Sequence, residues 1–251
     1  MRSTALRCGL SMTMFQAAGF TLGRARLVAL TDLQAATLLD PLRGRPSHQA
    51  RVAELTTGPT LVMELVRGDA VALWSRIVGQ GEEERVGEEG DEGDEGEEME
   101  ERRVVARGSS SVEEARRELG VLFASTPSPL LRPAPSWHQG APSTCLIIKP
   151  HAMAAAGALL EALQEEGLTL LALHTFLLTF QQAEEFLEVY KGVVEEYGEM
   201  VKQLSSGQCM VVQVGEAEGR GESVVHRVRE LCGPPDPSTA KLIRPKSLRA
   251  R

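Results

Sequence analysis

Part of this chain occurs twice, and the repeat leaves few folds open. Ala18-Gly19-Phe20-Thr21-Leu22 returns as Glu166-Gly167-Leu168-Thr169-Leu170, displaced by 148 positions. Farther on, Glu54-Leu55-Thr56-Thr57-Gly58 with Leu61-Val62-Met63 returns as Gln203-Leu204-Ser205-Ser206-Gly207 with Met210-Val211-Val212, displaced by 149. Both copies then run through an amphipathic stretch to a closing glycine, Ile77-Val78-Gly79 and Leu231-Cys232-Gly233. Two long copies indicate a tandem domain duplication, because a solenoid needs more and shorter repeats.

The second copy gives the clearer reading of local structure. Cys145-Leu146-Ile147-Ile148 is a short apolar strand that Lys149-Pro150 stops, and a helical pattern starts at Ala154. Leu159, Leu160 and Leu163 share one face of that helix, and Gly167 ends it. Residues 168–178 read as a strand, 181–190 and 193–204 as helices, 208–214 as a strand and 223–231 as a helix. This order predicts an α+β fold: two tandem ferredoxin-like βαββαβ domains, both incomplete, the second without its final strand.

The overall charge of −8 hides an uneven distribution. Residues 82–101 hold thirteen acids against Arg85, a local charge of −12 that leaves +4 for the remainder. An acid- and glycine-rich segment cannot bury enough apolar surface to offset chain entropy, so 80–101 is expected to be disordered. Five prolines in 124–143 predict an extended linker. The expected domains are therefore 1–123 and 144–251. The four cysteines lack metal-site spacing and read as reduced packing thiols in an intracellular protein. No apolar run is long enough to span a membrane. Arg2, Arg7, Arg24 and Arg26 in an acid-free start imitate a transit peptide, but from about Met14 onward the residues belong to the repeat.

Lys149-Pro150-His151 after the apolar strand, Val189-Tyr190-Lys191-Gly192-Val193-Val194-Glu195-Glu196-Tyr197, and Cys232-Gly233-Pro234-Pro235-Asp236-Pro237 resemble the nucleoside diphosphate kinase family. The first copy resembles it through Ala18-Gly19-Phe20-Thr21, Thr57-Gly58-Pro59 and Leu73-Trp74-Ser75-Arg76, and the tandem order is similar to that of a two-domain member. The resemblance implies a transferase. Such kinases move the terminal phosphate of ATP or another nucleoside triphosphate to a diphosphate through a phosphohistidine, with Mg²⁺ accompanying the nucleotide. It assigns phosphate contacts to Lys149, Arg229 and Arg249 as nucleotide-binding residues. Leu187 stands where most members have a tyrosine, Glu195 where a ring covers the base, and Pro235 where a threonine meets phosphate. The Gly215, Gly219, Gly221 cluster reads as a hairpin-like loop and not a phosphate cradle.

The family's histidine lies in a His-Gly-Ser-Asp-Ser motif. In the first copy Arg107-Gly108-Ser109-Ser110-Ser111 matches its place, and a guanidinium cannot accept a phosphoryl group as imidazole does. Ser111 and Glu114 predict a capping box, with Val112, Ala115, Leu119 and Leu122 on one helix face. In the second copy the motif would follow Arg251, and the first copy's opening strand and lysine would precede Met1. Either a partner supplies the first copy's strand, or the chain is a shortened isoform or an incomplete gene model, and the latter is the expectation. His48, His138, His151, His174 and His226 have no evident orienting partner. The resulting expectation is a nucleotide-binding protein with little or no turnover, with no catalytic residue and no metal ligand of its own. Its partners are nucleoside di- or triphosphates, with no membrane and no specific nucleic acid. The alternative implied by the tandem member is a non-enzymatic scaffold in the cytoplasm or cytoskeleton. Tubulin, microtubules, the γ-tubulin complex or the ciliary axoneme would be its partners, met through the basic tail Lys241, Arg244, Lys246, Arg249 and Arg251.

Overall fold

A computed structural model describes residues 8–40, 43–44, 48–77, 107–123, 142–216 and 223–250. The acidic segment 80–101 and nearly all of the proline-rich linker lie outside the described residues, as does His138. The first repeat supplies α1 (Cys8–Ala17), β1 (Thr21–Val28), α2 (Asp32–Leu38), α3 (His48–Thr56), β2 (Thr60–Val66), a helix over 70–77, and α4 (Val112–Leu122). The second supplies β3 (Ser143–Ile148), α5 (Ala156–Glu165), β4 (Thr169–Leu177), α6 (Phe180–Phe186), α7 (Tyr197–Ser205), β5 (Gln208–Gly215), α8 (Val224–Cys232) and α9 (Pro237–Ile243).

The repeat extends to the ends of the elements. Adding 148 to the bounds of α1 and α2 gives those of α5 and α6, and adding 149 to α3 gives α7. The same caps recur: Thr31 and Thr179 each accept a backbone N–H from a glutamine three residues on, and that glutamine accepts the threonine's own N–H. A β-bulge interrupts β1 between Leu22 and Arg24, and β4 between Leu170 and Ala172. One bulge at the same place in each copy is a feature of the duplicated unit.

In the second repeat the strands run β4-β5-β3 with antiparallel neighbours, the ferredoxin-like order for its first three strands. In the first repeat β1 and β2 pair as their counterparts β4 and β5 do. The two sets join in one five-stranded sheet, β2-β1-β4-β5-β3, and the joining pair is Arg26 with His174. Those residues are 148 positions apart, so each faces its own counterpart and an approximate twofold axis passes between them. The Ala25 N–H donates to Thr175 Oγ1 at 2.9 Å, and Thr13 Oγ1 donates to Glu161 Oε2 at 3.5 Å, also 148 positions away.

Helices α1 and α5 pack against each other across this axis. A Cβ on Gly157 would lie 2.4 Å from the backbone nitrogen of Thr13, so the helices approach closely there because Gly157 has no side chain. Gln16 completes the contact: its amide donates to Met153 O at 2.9 Å and its carbonyl accepts Gly157 N–H at 3.3 Å. One core serves both repeats, with Met12, Leu22 and Leu27 packed among Ile148, Leu160 and Val212.

Three local expectations are corrected. Residues 193–196 form turns and not the start of a helix, after Gly192 in the left-handed region. Ser111 accepts Glu114 N–H at 3.1 Å, but the Glu114 carboxylate accepts from Ser110 instead of returning to Ser111, so the capping box is half formed. Helix α9 was absent from the expected elements, although Asp236 caps its first turn and Pro237 opens it, an ordinary start signal.

Candidate functional site

Lys149 follows β3 directly, where Pro150 forces the chain into a short 3-10 turn over Pro150–Ala155. Its ammonium is half-buried and donates to Gln203 Oε1 of α7 at 3.2 Å. Burial lowers its pKa, and the charge of Arg249 lowers it further. Two cations a hundred positions apart in sequence have therefore been brought within electrostatic reach.

Arg249 is held by the end of α8. Its backbone N–H donates to Cys232 O at 3.2 Å, Leu248 N–H donates to Leu231 O at 2.9 Å, and the Arg249 guanidinium donates to Gly233 O. Gly233 closes α8 with φ +76, and a Cβ there would lie 2.4 Å from Ser247 Oγ. The loop can seat against the helix end only because that position is glycine.

Arg229, in the last turn of α8, lines an open cleft with Glu230, Gly233, Pro234 and Arg244. Glu230 is the one acid among these lining residues, and Arg244 engages it as an ion pair. That hydrogen bond depresses the Glu230 carboxyl, with His226 one turn earlier adding to the effect. Arg229 lines the cleft, Arg249 donates to the cleft residue Gly233, and Lys149 lies within electrostatic reach of Arg249. Sequence reasoning missed Gln203 and the cleft role of Arg244. Neither the Gln203 contact with Lys149 nor the ion pair of Arg244 with Glu230 leaves a local signal in the sequence. The cluster supplies fixed positive charge and N–H donors, which suits an anion with several oxygens.

These residues do not build a metal site. Among the described residues no group of three or more histidine, cysteine or acidic side chains could hold an ion.

The first repeat differs at the place of Arg229, and its Arg107 is held in an ion-pair cluster. Matching Gly79 to Gly233 puts Ser75 where the second repeat has Arg229, and the Ser75 hydroxyl donates to Val71 O at 3.0 Å. Arg107 lies 2.7 Å from Glu118 and 3.0 Å from Glu114, and Ser109 donates to Glu118 at 2.5 Å. Glu118 is buried, so Arg107 is locked into a carboxylate cluster. His174 stacks on Phe176 at 4.6 Å and its ring bonds Thr175 O, which makes it a packed strand residue.

The sequence profile of the nucleoside diphosphate kinase family matches residues 6–127 and 142–251. The chain belongs to the nucleoside diphosphate kinase family. Nucleoside diphosphate kinase homolog 7 of Rattus norvegicus is 32% identical over 247 residues, covering 97% of this chain and 60% of that protein. The chain therefore spans about 60% of the length of such curated relatives. The nucleoside diphosphate kinase of Aquifex aeolicus (strain VF5) is 34% identical over 110 residues, 43% of this chain and 73% of that protein. A crystal form of the Aquifex aeolicus enzyme gives a TM-score of 0.39 at 34% identity, covering 44% of this chain and 75% of that chain. The tandem ferredoxin-like organisation agrees with this membership, and no helix among the described residues is long and apolar enough to cross a membrane.

Proposed function

We propose that the second repeat binds the phosphates of a nucleoside di- or triphosphate through Lys149, Arg229 and Arg249, and that this chain turns nucleotide over little or not at all. The observation that carries the reading is the convergence of basic side chains at the end of α8, with Arg229 lining the cleft and the Arg249 guanidinium donating to the cleft residue Gly233. Burial and the nearby charge of Arg249 both disfavour the Lys149 ammonium in the free protein, and an anionic ligand relieves that cost. Mg²⁺ arrives with the nucleotide, and the basic side chains neutralise the phosphate oxygens. Low turnover follows from Arg107, which puts a permanently protonated group tied to Glu118 where the family has the phosphoryl-accepting imidazole. ADP should raise the melting temperature of the 251-residue chain, and Lys149→Ala or Arg229→Ala should reduce that rise. Labelled ATP should leave no acid-labile phosphoenzyme. Family-like turnover abolished by replacing one of the five histidines would overturn the low-turnover reading.

A structural role at tubulin-containing assemblies, including the axoneme, is the second reading. The exposed Lys241 and Lys246 beside the exposed Leu242 and Ile243 favour it, since an acidic filament surface would meet both charge and apolar contact there. Co-sedimentation with microtubules, lost on Lys241→Glu with Lys246→Glu, tests it.

A further inference from the structure

Two guanidinium groups and one carboxylate line the cleft at the end of α8. The Arg229 guanidinium pairs with no described residue. Arg244 donates to Glu230 twice, to its carboxylate and, at 3.4 Å, to its backbone carbonyl. The side chains of that ion pair are 45% and 48% exposed. Arg229 and Arg244 contribute +2 to the lining and Glu230 contributes −1, which leaves +1 in the free chain.

The backbone that carries Arg244 is fixed. Its N–H donates to Ala240 O at 2.8 Å at the end of α9, its carbonyl accepts Ser247 N–H at 3.0 Å, and Ala240 is buried. The guanidinium can therefore change partner by side-chain rotation alone, without moving α9. An exposed ion pair is held weakly, because water screens the attraction and two long side chains lose rotamer freedom. A phosphate group offers the same guanidinium more charge and more acceptor oxygens, in the bidentate geometry that arginine favours. Glu230 is thus the weaker of two anions that Arg244 can hold. Its negative charge also opposes any anion that enters the cleft toward Arg229.

We propose that Arg244 is a further phosphate-binding residue of this cleft and that Glu230 is its internal competitor, which occupies Arg244 in the free chain and yields it to a phosphate of the ligand. This role rests on the reading that the second repeat binds nucleotide phosphates, and it adds a residue which that reading does not use. In the exchange the carboxylate gives up one guanidinium to solvent, and the ligand engages Arg229 and Arg244 together. Removing the carboxylate leaves the lining at +2 with Arg244 unpaired, so Glu230 holds the affinity of the cleft below what its two arginines could supply.

Calorimetric titration of the full 251-residue chain with ADP in the presence of Mg²⁺ reads the affinities. Arg244→Gln should weaken binding about tenfold, and Glu230→Gln should tighten it about two- to fivefold. Both side chains are exposed, so each variant should melt at the parent temperature without ligand. The double variant separates competition from plain repulsion. If Glu230 acts by occupying Arg244, replacing it gains little once Arg244 is already glutamine. An equal gain in both backgrounds shows repulsion alone and overturns the proposal, as does a Glu230→Gln chain that binds no tighter than the parent. Binding that Lys149→Ala and Arg229→Ala weaken but Arg244→Gln leaves unchanged overturns this role alone, and the phosphate reading then stands without it. No ADP binding by either the parent or Glu230→Gln overturns both.

Discussion

The two repeats share caps, bulges and helix bounds, yet they differ in the side chains they present at matching positions. The second places Arg229 and Arg249 at the end of α8, with Lys149 within electrostatic reach of Arg249, and exposes Phe176 and Phe186. The first packs α4 on Val28 and Leu38, their counterparts, but holds Ser75 in place of the arginine and ties Arg107 to two carboxylates. Basic side chains converge in one half, and a helix packs on the matching face in the other. Equivalent positions of a duplicated unit thus carry different side chains on one shared sheet.

The strongest way to break this comparison is to attack the shared contact. Gly157→Val drives a side chain into the Thr13 backbone and should cost about 3 kcal/mol, lowering Tm by about 6–12 °C. One cooperative transition should remain in calorimetry; two separated transitions would show that the repeats melt as independent units. Next is Glu118→Ala, which strips the buried partner from Arg107 and Ser109 and should cost about 2 kcal/mol, with α4 loosening first by hydrogen exchange. In the same cluster Glu114 is held below its ordinary pKa, chiefly by the Ser110 hydroxyl. Its stabilisation is present above the unfolded value and fades as pH falls through the depressed folded value, so acid should release α4 before the sheet.

Thr31→Ala and Thr179→Ala sharpen the comparison at smaller scale. Each removes an equivalent cap and should cost about 1 kcal/mol; unequal losses in urea titrations would show that the halves carry different shares of stability. The smallest effect has the opposite sign. The ammonium of Lys149 has a depressed pKa because the fold disfavours its charge, so at neutral pH it subtracts stability, and stability recovers as pH rises through the lowered pKa. Lys149→Gln should therefore gain no more than about 1 kcal/mol after solvent screening, while losing most of the ADP-induced Tm rise.

Much of the fold was legible because local signals are strong within each repeat. The strand before Lys149, Gly167 at a helix end (φ +77) and the two-copy plan all follow from spacing and turn chemistry. The join was not legible. It is made by contacts such as the Arg26–His174 strand pair, the glycine against Thr13 and the Gln16 hydrogen bonds, none of which leaves a periodic trace. The site was half legible: Lys149, Arg229 and Arg249 came from a resemblance, whereas the Gln203 and Gly233 contacts depend on how distant segments close. Phe176 and Phe186 look like core residues in sequence, yet they are exposed where their counterparts Val28 and Leu38 are buried.

The hydrogen bond between Thr13 and Glu161 shows what joining the halves made possible. In a dimer of identical chains, a position near the twofold meets its own copy, so threonine would face threonine and glutamate would face glutamate. The second arrangement sets like charges together. Once both halves are written in one gene, each side of the axis can take a different residue, and a donor can be matched to an acceptor. The seam is thereby keyed to a specific pairing of unlike halves, which a symmetric assembly could not encode.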